Sequence, residues 1–480
     1  MFTALQQHQP MRYYFFWYLL LLFCLLACKK EAFITNANAS LQVPEAVHFD
    51  TVFTTTGSIT RSFTIVNPNP QKLRLSSLAL AGGAASAFSI NVNGKPGTRF
   101  TNVDIDANDS IYVFVRATIN PGNHLSPFLV RDSIEIAFNG NEKKVQLRAF
   151  GQNARFITEG SISTNTRWTN ELPYVIVRPL TIEAGATLTI DPGTRLFFNA
   201  GAPLLVNGRL QALGQPWDST RIVFRADRLD EPYRNLPGGW PGLIFNNGST
   251  GNVLRYAQVL NAYQGVVVVG NANAVPAKLV MEQCQVSNAY DIGLLGFNTS
   301  IEATNCLVAQ CGNEGQPGTG GSNIILTGGG NYQFTHCTVV TYANFYQNHK
   351  QGVLYLSNAA GTQTAALNAS FTNCIIYGQG GLAEEEIGIM RSAAAPFNVS
   401  MRHVLYKAKA ELTGVSFVNS LRNQEPLFDT VNTSLRQYNF RLRAASPAVN
   451  SGQNAGIPID LDGKPRPGGA APDLGSYEFQ

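Results

Sequence analysis

Residues 183–214 read EAGATLTIDPGTRLFFNAGAPLLVNGRLQALG, and one pattern occurs in them three times at an interval of eight residues. Gly185, Gly193 and Gly201 each stand three residues before a leucine (Leu188, Leu196, Leu204). Each leucine is followed two positions later by a second apolar residue (Ile190, Phe198, Val206). Two apolar positions separated by one residue bury the same face of a very short strand, because side chains alternate sides along a strand. A glycine at a fixed lead suits a bend, since a residue without Cβ reaches positive φ at no steric cost. Parallel neighbours joined by helices need a dozen or more connecting residues, and these links are only a few long, so a doubly wound sheet is excluded. The chain must wind as a solenoid in which each strand pairs with the strand one full coil later. Three units of eight predict a coil of 24 residues. The fold expected is a right-handed parallel β-helix solenoid of roughly ten coils.

A second repeat extends the solenoid downstream. The segments LRYAQVLN (254–261), MEQCQVSN (281–288), ATNCLVAQ (303–310), FTHCTVVT (334–341), FTNCIIYG (371–378) and MRHVLYKA (401–408) align without gaps. Their register positions are read as Ala257, Cys284, Cys306, Cys337, Cys374 and His403, 22 to 37 residues apart, with insertions lengthening the bends. Stacked cysteines would lie ~4.8 Å from their neighbours, but parallel neighbours point the same way and a bridge between them would be strained. CxxC and histidine spacings for zinc are lacking. The thiols are therefore expected to pack as small apolar groups, with no metal and no cofactor implied. Cys311, off this register in a glycine-rich bend, is a candidate free thiol.

Trp240-x-Gly242-Leu243, within YRNLPGGWPGLIFNN (233–247), resembles a motif of exported β-helix proteins and makes Trp240 a buried anchor. RLRAASPAVNSG (441–452) and IDLDGKPRPGGAAPDLGSYE (459–478) resemble the closing segment of exported bacterial β-helix repeat proteins. Ser446-Pro447-Ala448, Asp460-x-Asp462-Gly463 and Asp473-x-Gly475-x-Tyr477-Glu478 match residue by residue. The resemblance implies a pectin-lyase-like β-helix over residues 153–445, closed by a cap over 446–480. Asp460-x-Asp462-Gly463 matches the start of an EF-hand loop without its later ligands, so calcium is not expected there.

Upstream, residues 45–152 change period. SFTIVN (62–67), KLRLSSLAL (72–80), SIYVFVRATI (110–119), DSIEIAF (132–138) and KKVQLRAF (143–150) alternate apolar and polar residues, and Asn-Pro and Asn-Gly turn signals separate them. About seven short strands without helical pattern predict an N-terminal immunoglobulin-like β-sandwich, so the whole chain is all-β. FTIVNPNPQKLRLSSLAL (63–80) resembles the ASPM/SPD-2/Hydin type of that domain, which implies a spacer.

The N-terminus reads MRYYFFWYLLLLFCLLACKKE from Met11, a short apolar run behind one positive charge. It has the form of a signal peptide (residues 1–27), too short for a comfortable span of ~20 residues. Leu25-Leu26-Ala27-Cys28 resembles the lipobox of bacterial lipoproteins. That resemblance implies acylation of Cys28, a lipidated tether over 28–44, and an outer-membrane protein at the cell surface or periplasmic face. The formal net charge is +4 over 480 residues with only 14% charged. The basic residues are dispersed, so the electrostatic footprint of a nucleic-acid binder is missing. A monomer is expected, with the membrane and an extracellular or envelope polysaccharide as partners.

Polysaccharide lyases and polygalacturonases share the β-helix, and their chemistry needs a base beside charge-neutralising groups, or carboxylates paired across a glycosidic bond. The catalytic candidates are His349, Lys350, Glu385 and Arg391, with Glu384 and Glu386 flanking Glu385 in a run that reads first as a solvated charge cluster. No stacked aspartate pair marks the repeat strands. The favoured reading is therefore a non-catalytic glycan-binding or surface-interaction module, and a β-helix carbohydrate-active enzyme is the alternative. Tyr342, Phe345 and Tyr346, in a long bend, are the candidate sugar-stacking residues. Triplets such as Asp109-Ser110-Ile111 and Asp132-Ser133-Ile134 resemble an O-glycosylation consensus of some Gram-negative envelopes.

Overall fold

A computed structural model describes residues 32–313, 315 and 318–480; the expected signal peptide and acylated Cys28 lie outside them. The chain forms two compact units, one of residues up to Gly122 with Pro127–Gly151, the other of Asn123–Ser126 with Gln152–Gln480.

In the first unit, period-two segments pair into two antiparallel sheets, of five and four strands. Their inward residues, among them Ile65, Leu75, Val113, Ile134 and Val145, fill one core, which makes the unit a β-sandwich. Strands Phe128–Phe138 and Asn141–Gln152 are joined by Asn139-Gly140, both at positive φ (46° and 77°), as a two-residue hairpin turn requires. At the Asn-Pro turn, buried Asn67 donates from Nδ2 to the carbonyls of Gln71, Ile105 and Asp106. The stretch expected to be a tether up to residue 44 is pinned well before that. Ile34 N–H donates to Lys72 O, Gln42 and Val66 exchange two backbone bonds, and Leu41 is buried, because an apolar side chain there can join the core. The carboxylates of Asp109 and Asp132 accept the N–H groups of Ser110 and Ser133.

The second unit is a parallel β-helix with three faces. The first includes Leu180–Ile182, Leu204–Val206 and Leu243–Phe245; the second Thr187–Ile190, Arg209–Leu213 and Asn252–Arg255; the third Tyr174–Ile176, Arg195–Phe198 and Ile222–Ala226. The third face is an eleven-stranded parallel sheet. The first and second join into one seventeen-stranded sheet, because Ile292–Thr304 and Ile324–Thr335 continue round their corner, through a bulge at Asn298 and the positive-φ Gly328, Gly329 and Gly330. The leucines of the opening repeat thus stand on three different faces. Leu188 pairs with Leu210, a coil of 22 residues where the repeat predicts 24. The contraction lies at Gly208, where a Cβ would sit 2.3 Å from the carbonyl oxygens of Glu183 and Ala186. Gly185 and Gly193 have the expected positive φ; Gly201 does not, and open space surrounds it.

Leu188, Ile190, Leu196, Phe198, Leu204 and Val206 all point into the interior and are fully buried. Trp240 is buried there too, its ring 4.2 Å from Phe198 and its Nε1 donating to Leu260 O. Cys284, Cys306, Cys337 and Cys374 stack in one buried column as free thiols. Each lies against a carbonyl of the preceding coil, as Cys284 does with Leu254 O at 3.1 Å. Burial pushes the thiols of Cys284, Cys306 and Cys337 well above the ordinary range, and that of Cys311, also buried and free, up to about 12. Such thiols are packing groups without nucleophilic character.

The register assigned to His403 is off by one. Ile375 pairs with Leu405, so Val404 continues the cysteine column. His403 belongs to the column one residue earlier, with Tyr256, Gln283, Asn305, His336 and Asn373, all at positive φ between 45° and 55°. These corners turn sharply enough to need the left-handed region, which asparagine tolerates best among residues with a side chain.

The C-terminal segment lies along the flank of the third face. The outward side chains of that face (Leu307, Ala309, Val340, Ile375, Tyr377, Leu405) are apolar and are buried under Phe428, Phe440, Leu461 and Leu474. The positive-φ corners fasten this strap: Asn305 donates to Ile459 O, Asn373 to Gln453 O, and His403 Nδ1 bonds Ser451 O. Farther back, Arg221 donates to Leu461 O. The motif residues hold its turns. Asp460 Oδ1 accepts the N–H groups of Asp462 and Lys464, and buried Arg466 pairs with Glu478 at 3.1 Å.

Candidate functional site

A groove of about 650 Å³ opens where the C-terminal hairpin, Phe428–Asn432 with Gln437–Leu442, meets the third face. Its floor comes from the outer sides of Gln285–Ser287 and Leu307–Ala309. Tyr342 anchors the hairpin from below, its ring 6.5 Å from Phe440 and 6.4 Å from Phe428. That packing explains why Tyr342 is buried and cannot be the open sugar platform expected of it. Phe345 is 88% exposed and meets Tyr346 edge-on at 5.0 Å. Tyr346 reaches the groove's rim through the guanidinium of Arg436, 4.5 Å over its ring.

Amides dominate the lining, and they are wired together. Asn288 Nδ2 donates to Asn261 Oδ1 and to Asn235 O, while Gln347 Nε2 donates to Asn288 Oδ1. Gln310 is fixed from both ends by the backbone of Tyr342. Tyr438 stacks on Phe440 at 5.8 Å and accepts a bond from Asn344. Tyr477 takes Gln285 Nε2 on its hydroxyl. Burial raises both phenols, that of Tyr477 to about 12, so they stay neutral donors. Arg441 lies over Tyr477 and is neutralised by Asp462, whereas Arg436 donates to the carbonyl of Asn235. An amide offers donors and acceptors side by side, as a sugar hydroxyl does, and a tyrosine ring offers an apolar face with a polar edge. The size is that of a small-ligand site.

The four catalytic candidates do not form one constellation. His349 is buried, with Nε2 3.1 Å from Glu386 Oε1, and Lys407 Nζ lies 3.7 Å from the same oxygen. Gly378 closes over this pair; a Cβ there would stand 2.3 Å from Glu386 Oε2. Lys350 and Glu385 line a separate depression of about 360 Å³, with Tyr355 and Glu384. Glu385 is already engaged by the N–H groups of Lys409 and Ala410, and Glu384 by Lys409 Nζ at 2.6 Å, a bond that holds its carboxyl below the usual range. Arg391 lies against Gly414, outside that depression. The groove under the hairpin was missed because its amides come from six separate stretches; the unused signal was the recurrence of Asn and Gln at positions 261, 288 and 310, one coil apart.

Fold and groove define an all-β protein in which a parallel β-helix carries an amide-lined cleft. No family model matches this chain, and no curated protein does. Among solved structures, a family 123 glycoside hydrolase from Clostridium perfringens aligns at 12% identity over 28% of this chain and 26% of that one, with a TM-score of 0.19. The alkylpurine DNA glycosylase AlkC of Pseudomonas fluorescens, bound to DNA with an abasic site analog, aligns at 12% identity over 24% and 29%, with a TM-score of 0.13. Likenesses this slight carry no argument about activity.

Proposed function

We propose that the protein is an exported, membrane-anchored lipoprotein that binds glycans without catalysis, through the groove beneath its C-terminal hairpin. One observation carries the reading: the lining combines pre-bonded amides and tyrosines with no carboxylate or histidine among its described residues. That chemistry recognises hydroxyls and sugar faces, whereas glycoside cleavage asks for acid and base groups at the bond. Amides already held by hydrogen bonds lose little rotamer freedom when a ligand arrives. Acylation of Cys28 would contribute ~0.8 kcal/mol per methylene buried in the bilayer, enough with several chains for durable anchoring.

The test is binding of the purified protein to a glycan array, alongside assays for new reducing ends and unsaturated products. Binding without product, weakened at least tenfold by Tyr438→Ala and Gln437→Ala, supports the reading. Product formation, or binding indifferent to both variants, overturns it. Mass spectrometry of the N-terminal peptide from membranes tests the acyl group on Cys28.

A further inference from the structure

The second face carries a separate depression of about 380 Å³. Its floor is the outer surface of successive coils, where Asn331, Asn368 and Asn398 stand in one register and Gln333, Ser370 and Ser400 in the next. Adjacent strands lie ~4.8 Å apart and alternate residues of one strand ~6.7 Å apart, so these side chains form a regular flat lattice. The asparagines are bonded along the solenoid axis: Asn398 Nδ2 donates to Asn368 Oδ1 and Asn368 Nδ2 to Asn331 Oδ1, both at 2.8 Å. Asn331 Nδ2 is tied to Ala272 O at 2.7 Å.

An amide has two N–H donors and two acceptor lone pairs. Within the ladder Asn368 spends one of each on its neighbours and presents the others outward, in an orientation the ladder fixes. A bonded row inside a protein satisfies groups that water cannot reach, but Asn368 and Asn398 are exposed. Water competes for such bonds, which leaves stability a weak reason for the row. The lining contains a single charged residue, Glu302, so the complement is an uncharged ligand that repeats along the axis with a donor and an acceptor in each unit.

We propose that this ladder binds an extended, uncharged polysaccharide whose chain runs along the solenoid axis, successive sugars meeting successive coils. The site is distinct from the groove under the hairpin and does not depend on it. The test is sedimentation of the full chain with insoluble cellulose, chitin and mannan, with polygalacturonate as the charged control. Wild type is expected to bind at least one neutral polymer more tightly than polygalacturonate. The double variant Asn368→Ala/Asn398→Ala should weaken that binding at least tenfold with unchanged melting temperature. The proposal fails if the ladder variant binds as wild type does, if no neutral polymer is bound, or if polygalacturonate is preferred. Loss in Tyr438→Ala but not in the ladder variant assigns the binding to the groove and also overturns it.

Discussion

The second and third faces of the solenoid are both built from stacked parallel strands, yet they meet the outside differently. On the third face, strand Thr338–Tyr342 is buried on both sides: Val339 faces the interior while Val340 and Tyr342 face the C-terminal strap. On the second face, Phe334 and Phe371 point inward and stack at 5.0 Å, while Gln333 and Ser370 point out. The fold is set by the inward residues, which are apolar on both faces. The outward residues decide whether a face is covered, and so where the molecule keeps surface for partners.

That contrast can be broken with one pair of substitutions. Val340→Asp places a charge beneath the strap with no partner, and should cost more than about 4 kcal/mol or prevent folding. Ser370→Asp makes a matching change at an outward position of the second face, between the uncharged Gln333 and Ser400, and should shift stability by less than about 0.5 kcal/mol. Chemical denaturation of both variants compares them. Equal effects would mean that the strap does not seal the third face.

The next effect lies in the strap's fastening. Arg466 and Glu478 are both inaccessible, and burial lowers the guanidinium from its usual value while raising the carboxyl. Arg466→Ala leaves Glu478 buried without its cation and should cost about 3–5 kcal/mol, whereas Arg466→Met with Glu478→Leu should recover much of it. Calorimetry of the single and double variants separates the two cases.

How much of this was legible depended on the direction in which residues face. The eight-residue repeat and the gapless cysteine-bearing segments both report inward positions, and these identified the solenoid and the buried thiol column. The apolar runs TVV (338–340) and IIY (375–377) do not alternate, which is the mark of strands covered on both sides. They called for a cover along the flank, where the closing motif alone had suggested a cap over the open end. His403 was displaced by one although the gapless alignment already sets Val404, the fourth residue of MRHVLYKA, opposite the cysteines, and the strand pairing agrees. Groove and ladder were hidden for another reason: the ladder and the groove's floor join residues 22 to 37 apart that become neighbours only through stacking, and the hairpin that closes the groove comes from much farther along the chain.

A pH dependence follows from the same fastening. The His336 ring, bonded to Asn373 and beside Arg466, is held down to about 3 from an ordinary 6.5, chiefly by burial and then by the guanidinium. The unfolded chain takes up that proton below pH 6.5 and the folded chain does not until about 3. The stabilisation is therefore complete above 6.5 and declines as pH falls, by at most ~1.4 kcal/mol per unit. Asp460, Asp473 and Glu478, raised by burial, act in the opposite sense, since acid protonates them in the folded state first. They enter nearer the carboxylate range, so the loss is cleanest between pH 6.5 and 5, where it should reach about 2 kcal/mol. His336→Asn should flatten the melting temperature over that interval, and an unchanged slope would place the titrating group elsewhere.

The smallest effect separates two reasons for having an asparagine ladder. If the row exists to hold coils together, Asn368→Ala removes two hydrogen bonds and should cost roughly 1–2 kcal/mol. If it exists to present amides outward, water replaces those bonds and the cost should stay within about 0.5 kcal/mol. We expect the second result, because Asn368 is exposed and its backbone remains paired with Asn331 and Asn398 whatever the side chain. Asn373 supplies the contrast five residues on. It is fully buried, at φ 55°, donates to Gln453 O and accepts from Gln453 N–H, so Asn373→Ala should cost several times more. Equal losses at 368 and 373 in denaturant titrations would make the exposed row a structural element and remove the reason to look for a ligand on it.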